Sequence, residues 1–155
     1  QTHASDGMFT MLMTSEEKAK ELSVDPGITI QLIGSSEYRT TAGFMPDAPG
    51  YAIKELLERT GLTMDDMVAV NNHNPFAVND IVFSKMLDFD WHMMNATGCP
   101  MVYGHPQGPT LVRVTVEALE RAVVVGGGYV LIFGCAAGDV GIAAIFKVTD
   151  SKGGR

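Results

Sequence analysis

Cysteine is scarce in this chain. Its 155 residues hold two, Cys99 and Cys135, too few for a disulfide framework and without the spacing of a zinc site. That usage fits a reducing compartment, so the cytoplasm is the expected location and no metal is expected. Charge is also sparse, at 19% of residues, and the eleven Lys and Arg are scattered against a net charge of −7. Nucleic-acid and polybasic membrane partners are thereby excluded, because both require clustered positive charge. No apolar run reaches the roughly 18 residues that cross a bilayer, and no basic stretch leads into a signal-peptide core. Repeats and low-complexity segments are missing too. What is present is a 46% apolar share, enough to build a core at the length of one ordinary domain. The first residue is Gln1 rather than Met, which raises the expectation of a fragment or a processed subunit.

The apolar pattern switches between periods of two and about 3.6, so strands and helices alternate. Residues 7–13 read as a strand, and Thr14-Ser15-Glu16-Glu17 starts a short helix to Leu22. Ile28 to Gly34 alternates as a strand, and Ser35 to Gly50 reads as a loop. Ala52, Ile53, Leu56 and Leu57, closed by Gly61, place an amphipathic helix over Pro49 to Thr60. Met67 to Val70 is a buried strand, and Asn74-Pro75 reads as the cap and first turn of a helix to about Leu87. Pro109 opens a long helix to Val125 whose apolar residues cover more than one face. A β-hairpin follows Gly126-Gly127-Gly128, with strands Tyr129 to Phe133 and Ile142 to Val148. The fold class is α/β.

Three polar clusters lie at the junctions, where α/β folds collect their sites. In His73-Asn74-Pro75-Phe76, Asn74 serves either as a plain helix cap or, with His73, as a holder of an oxyanion or ordered water. In Gly104-His105-Pro106-Gln107-Gly108, two glycines and a proline fix the path around a histidine that suits a general base. In Gly134-Cys135-Ala136-Ala137-Gly138-Asp139, the thiol reads either as a small buried hydrophobe or as a reactive group at a hairpin tip. Cys99, after Gly98, makes the same weaker case.

Order and spacing carry more than any one cluster. His-Asn-Pro-Phe at 73–76, Asn95-Ala96-Thr97-Gly98, Gly-His-Pro-x-Gly at 104–108, Arg113, the glycine run and Gly-Cys-x-x-Gly at 134–138 together resemble the C-terminal half of the thiolase superfamily. Ser5-Asp6-Gly7 and Thr14 to Glu17 resemble the entry into that half, so the similarity runs from Ser5 to Val148. The leading His is closest to the sterol-carrier-protein type, alongside acetyl-CoA acetyltransferase-like members. The resemblance implies a mixed β-sheet layered with α-helices, and thiolytic cleavage of a 3-oxoacyl-CoA or the reverse Claisen condensation. Coenzyme A thioester then enters as substrate, with no permanently bound cofactor. It implies that His105 activates a nucleophilic cysteine and that Cys135 exchanges a proton with the substrate α-carbon. A lowered thiol pKa and proximity to His105 are expected for that task. His73 takes the water-holding role beside Asn74, and Gly104, Gly108 and Gly138 contact the coenzyme.

The sequence departs from the family pattern at Ala137 and Cys99, each replacing a glycine and each expected to add bulk near the acyl group. The nucleophilic cysteine belongs to the family's N-terminal half and is absent, so the chain alone is expected to be inactive. Residues 1–24 are expected to border that preceding half, 25–149 to form the thiolase-like C-terminal domain, and 150–155 to be a loose tail. The helix from Pro109 is expected to be exposed without a partner. The partners implied are an N-terminal thiolase half, acyl-CoA, and further subunits of a homo- or hetero-oligomer. Two rival readings stay open: part of a ketosynthase-type condensing enzyme, and a non-catalytic scaffold or binding subunit.

Overall fold

The computed structural model describes residues 3–154. Its elements are α1 (Glu16–Leu22), β1 (Ile28–Arg39), α2 (Ala48–Thr60), β2 (Met67–Asn72), α3 (Ala77–Leu87), α4 (Pro100–Tyr103), α5 (Thr110–Val124), β3 (Gly127–Ala136) and β4 (Val140–Asp150). The strands form one mixed sheet in the order β1-β4-β3-β2. The β1–β4 and β4–β3 pairs are antiparallel, and β3–β2 is parallel.

Successive residues of β3 point to opposite faces. Val130 and Ile132 pack with Ala118, Leu119 and Ala122 of α5. Leu131 and Phe133 pack with Ile53 and Leu56 of α2 and Phe83 of α3. The sheet is therefore sandwiched between helical layers, which is why β3 reads as a continuous apolar run. Each large side chain buried there contributes about 1.5–3 kcal/mol. By contrast α1 buries no residue and is held by the Ser15 hydroxyl, which accepts from Lys18 N, and by exposed Lys–Glu pairs. Exposed pairs contribute about 0–1 kcal/mol each, so α1 is the weakest element.

The structure changes several sequence expectations. Residues 7–13 form no strand. They lie beside α5, with Gly7 against Pro106, Phe9 near the Arg113 guanidinium and Met11 packed on the α5 core. Strand formation needs a ladder partner, and none reaches this segment among the described residues. β1 continues through Ser35 to Arg39 because Val140 to Ala144 of the extended hairpin offers it a ladder, and α2 already begins at Ala48, which shortens the expected loop from both ends. β4 runs through Asp150, whose carboxylate accepts from Lys152 N and Gly154 N, so that end is tied down. α5 buries Val114, Ala118 and Ala122 completely, and its exposed apolar residues are Val124 and Val125 at the C-terminal end. The sheet, rather than a partner, covers most of its apolar stripe. No helix among the described residues is long and apolar enough to cross a membrane.

Candidate active site

Because β2 and β3 are parallel, their carboxyl ends finish side by side, and the segments leaving them meet there. α5 turns through Val125 and Gly126 straight into β3, so it runs antiparallel to that strand. Its N-terminus, with the 104–109 turn ahead of it, therefore comes to the same end. A cavity of about 430 Å³ lies at this junction, with His73, His105, Gln107 and Cys135 in its wall and Met45, Phe76, Leu111 and Ile142 supplying apolar surface. Residues from four separate parts of the sequence thus share one wall.

His73 is 7% exposed, and its Nδ1 has no hydrogen-bond partner. Its backbone N–H donates to Phe133 O at 3.2 Å, extending the β2–β3 ladder by one residue. The ring lies over Gly134, where a Cβ would strike Nδ1, so glycine is required to admit it. It meets the His105 ring edge-on, with centroids 5.3 Å apart. Burial, then the neighbouring His105, pushes the His73 pKa down to about 4, so the ring is neutral at physiological pH.

His105 is half-buried, and burial lowers its pKa as well. Its Nδ1 shares a hydrogen bond of 2.9 Å with the Thr110 hydroxyl at the start of α5. With Nδ1 engaged, Nε2 is the ring nitrogen left to take a proton. Between them Gln107 adopts a left-handed backbone at φ 62°, an uncommon conformation for a non-glycine residue. Cys135, near the end of β3, receives a hydrogen bond from Asn79 Nδ2 at 3.5 Å. Cys135 and His105 line the same cavity. The expected lowering of the thiol is reversed: burial pushes the Cys135 pKa up, with the Asn79 contact opposing it.

Asn74 occupies neither place foreseen for it. The N-cap of α3 is Phe76, and Asn74 does not line the cavity. Its side chain is 1% exposed and donates through Nδ2 to Asp80 Oδ2 at 2.6 Å, while Asn72 Nδ2 donates to Asp80 Oδ1 at 3.0 Å. A buried carboxylate claims the nearest amide donors, and that demand outweighs capping. Gly104, Gly108 and Gly138 likewise stay out of the cavity wall. Gly104, at φ 91°, lies where a Cβ would strike Ser5, and Gly138, also at φ 91°, turns the β3–β4 hairpin. Ala137 does reach the wall and Cys99 does not, so only the first departure adds bulk there.

Residues 28–148 match the family model described as the thiolase C-terminal domain. The chain belongs to this family. It is 29% identical over 164 residues to the 3-ketoacyl-CoA thiolases of Yersinia enterocolitica and Aeromonas salmonicida, an overlap taking in 95% of this chain and 37% of each relative. Among solved structures it resembles the Acat5 thiolase of Ascaris suum in complex with coenzyme A, with a TM-score of 0.76 and 25% identity over 86% of this chain and 34% of that one. Human mitochondrial 3-ketoacyl-CoA thiolase aligns with a TM-score of 0.75 and 30% identity, over 87% of this chain and 34% of the other. This thiolase C-terminal domain therefore spans a little over a third of the length of the relatives it matches.

Thr110, Gln107 and Asn79 are the contributors that motif reading passed over. Thr110 was within reach of a sequence argument, since a hydroxyl five residues after His105 in the first turn of a helix falls back toward the preceding loop. Asn79 carried no such signal, because 56 positions separate it from Cys135.

Proposed function

We propose that this domain supplies the base and the acid/base thiol of a thiolase-type acyl-CoA acyltransferase, and that a nucleophilic cysteine comes from outside the chain. The observation that carries the reading is the convergence of His73, His105 and Cys135 on one cavity at the shared carboxyl ends of β2 and β3. Membership in the thiolase family supports the substrate class, a 3-oxoacyl-CoA or its condensation counterpart.

In cleavage, His105 accepts the proton of the attacking thiol, which bonds to the 3-oxo carbon. The bond from that carbon to the α-carbon breaks, and Cys135 delivers its S–H proton to the α-carbon. Burial favours the protonated thiol, the form this direction needs. The acyl group then passes to coenzyme A, and condensation runs the same steps backward. His73, held neutral, offers one N–H donor to the developing oxyanion or to a water beside it. Asn74 acts one layer behind, through Asp80. Among the described residues the cavity wall holds no thiol or hydroxyl nucleophile besides Cys135, so the proposed reading places the acyl-carrying group on the N-terminal half of a thiolase. The two unpaired cysteines fit a reducing, cytoplasmic setting, and oligomerisation belongs to the assembled enzyme.

The rival scaffold reading turns on whether His105 and Cys135 come within hydrogen-bond or one-water reach of each other, and their place on one cavity wall rather than in separate cores supports the catalytic reading. The test is acetoacetyl-CoA thiolysis by this domain combined with the N-terminal portion of a 3-ketoacyl-CoA thiolase. His105→Ala and Cys135→Ser are each expected to cost about 10²–10⁴ in kcat, the usual range for a positioned acid or base. Full condensation activity with Cys135→Ser would favour a ketosynthase-type site instead.

A further inference from the structure

The scheme above leaves one close neighbour of Cys135 without a task. Asn79, in the first turns of α3, is almost completely buried and donates through Nδ2 to Cys135 Sγ at 3.5 Å. Its Oδ1, also buried, has no hydrogen-bond partner. A carboxamide stripped of water costs stability unless its hydrogen bonds repay it, and a neutral thiol is a weak acceptor. A thiolate is a strong one, because hydrogen bonds to a charged partner are roughly twice as strong as neutral ones. The contact therefore gains most when Cys135 is ionised.

The surrounding elements keep Asn79 in place. The next residue, Asp80, accepts from Asn72 at the end of β2 and from Asn74 just beyond it, while Asn79 reaches across to β3. The first turns of α3 are thus pinned to both parallel strands. We propose that Asn79 is a positioning residue that orients the Cys135 sulfur and stabilises its thiolate, allowing a buried thiol to exchange a proton with the substrate α-carbon. In condensation the thiolate takes that proton and becomes S–H, and the C–H electron pair forms the new carbon–carbon bond. Cleavage returns the proton. The inference rests on Cys135 being the acid/base group proposed above.

Burial raises the thiol pKa, and the Asn79 hydrogen bond is the largest influence opposing it. The ionisable neighbours on the cavity wall are His73 and His105. Asp80 is turned to Asn72 and Asn74, and Asp139, in the adjoining turn, accepts from Gly43 N.

The experiment follows iodoacetamide alkylation of Cys135 against pH in a Cys99→Ser background, where it is the single thiol. Asn79→Leu is expected to move the midpoint upward and slow alkylation near pH 8 by about three- to tenfold, and Asn79→Asp to move it further by repulsion. A role in packing alone would change the rate by a constant factor across pH, and an unmoved midpoint in folded Asn79→Leu overturns the proposal. The unsubstituted chain gives a readout that needs no Asn79 variant. The Asn79 side-chain NH₂ resonances are expected to titrate with Cys135 and to stop doing so in Cys135→Ser, and resonances that ignore the thiol overturn it equally. Neither readout depends on turnover, so a shifted midpoint in this chain, found together with a combined enzyme that lacks thiolysis, would uphold the Asn79 link while defeating the proposed function.

Discussion

Folding strips His73 of water and sets it beside a second imidazole, and both effects favour the neutral ring. The unfolded chain, with an ordinary histidine pKa of about 6.5, takes up this proton first as pH falls. The resulting contribution to stability is fully present above about pH 6.5, is lost progressively toward pH 4, and amounts to about 3 kcal/mol at most. Asp80 acts with the opposite sign: burial raises its pKa, so its part is present at low pH and lost as pH rises. His73→Asn is therefore expected to lose less Tm than the unsubstituted protein between pH 7 and about 4.5. Equal losses in a thermal scan would contradict burial as the cause. Gly134→Ala drives a methyl into the same ring and should cost about 1–3 kcal/mol in urea unfolding, together with the His73 orientation. At this scale the sequence marks His105 and Cys135, where chemistry and backbone punctuation coincide, and both line the cavity. It misled at Asn74, because a cap and a partner for a buried carboxylate draw on the same residue type, and Asp80 decided between them.

Elements were legible in proportion to the core they bury. α2, α5 and the β3–β4 hairpin follow their apolar periodicity closely, since Ile53, Leu56, Val114, Leu131 and Ile145 are fully or almost fully buried. Residues 7–13 have the composition of a strand but no ladder among the described residues, and Met8 and Leu12 stand 88% and 73% exposed. Periodicity reports the tendency to pair, not the presence of a neighbour. That segment and α1 are expected to exchange their amide hydrogens with almost no protection, whereas the amides of β3 exchange only on global unfolding. Slow exchange over 7–22 in the isolated chain would contradict this ordering. Gly141→Ala tests the sheet–helix contact, because a Cβ there would meet the backbone of Ala48 and Pro49, which cannot rotate away. A loss of about 1–3 kcal/mol or more is expected, read from the urea midpoint at unchanged slope.

The whole molecule has a sheet covered by helices on both faces and, in the proposed reading, the proton-transferring part of a reaction. Its His and Cys groups meet because two parallel strands end together and an antiparallel helix returns to the same end, a consequence of topology that no single motif contains. Among the described residues the cavity wall offers no acyl carrier distinct from the thiol proposed to transfer the proton. The central claim is that chemistry appears only when that carrier is added, and the most direct measurement is acetoacetyl-CoA thiolysis with and without the N-terminal portion of a 3-ketoacyl-CoA thiolase. The account predicts no turnover from this chain alone, turnover on combination, and its loss again with Cys135→Ser. Thiolysis by this chain alone would contradict it.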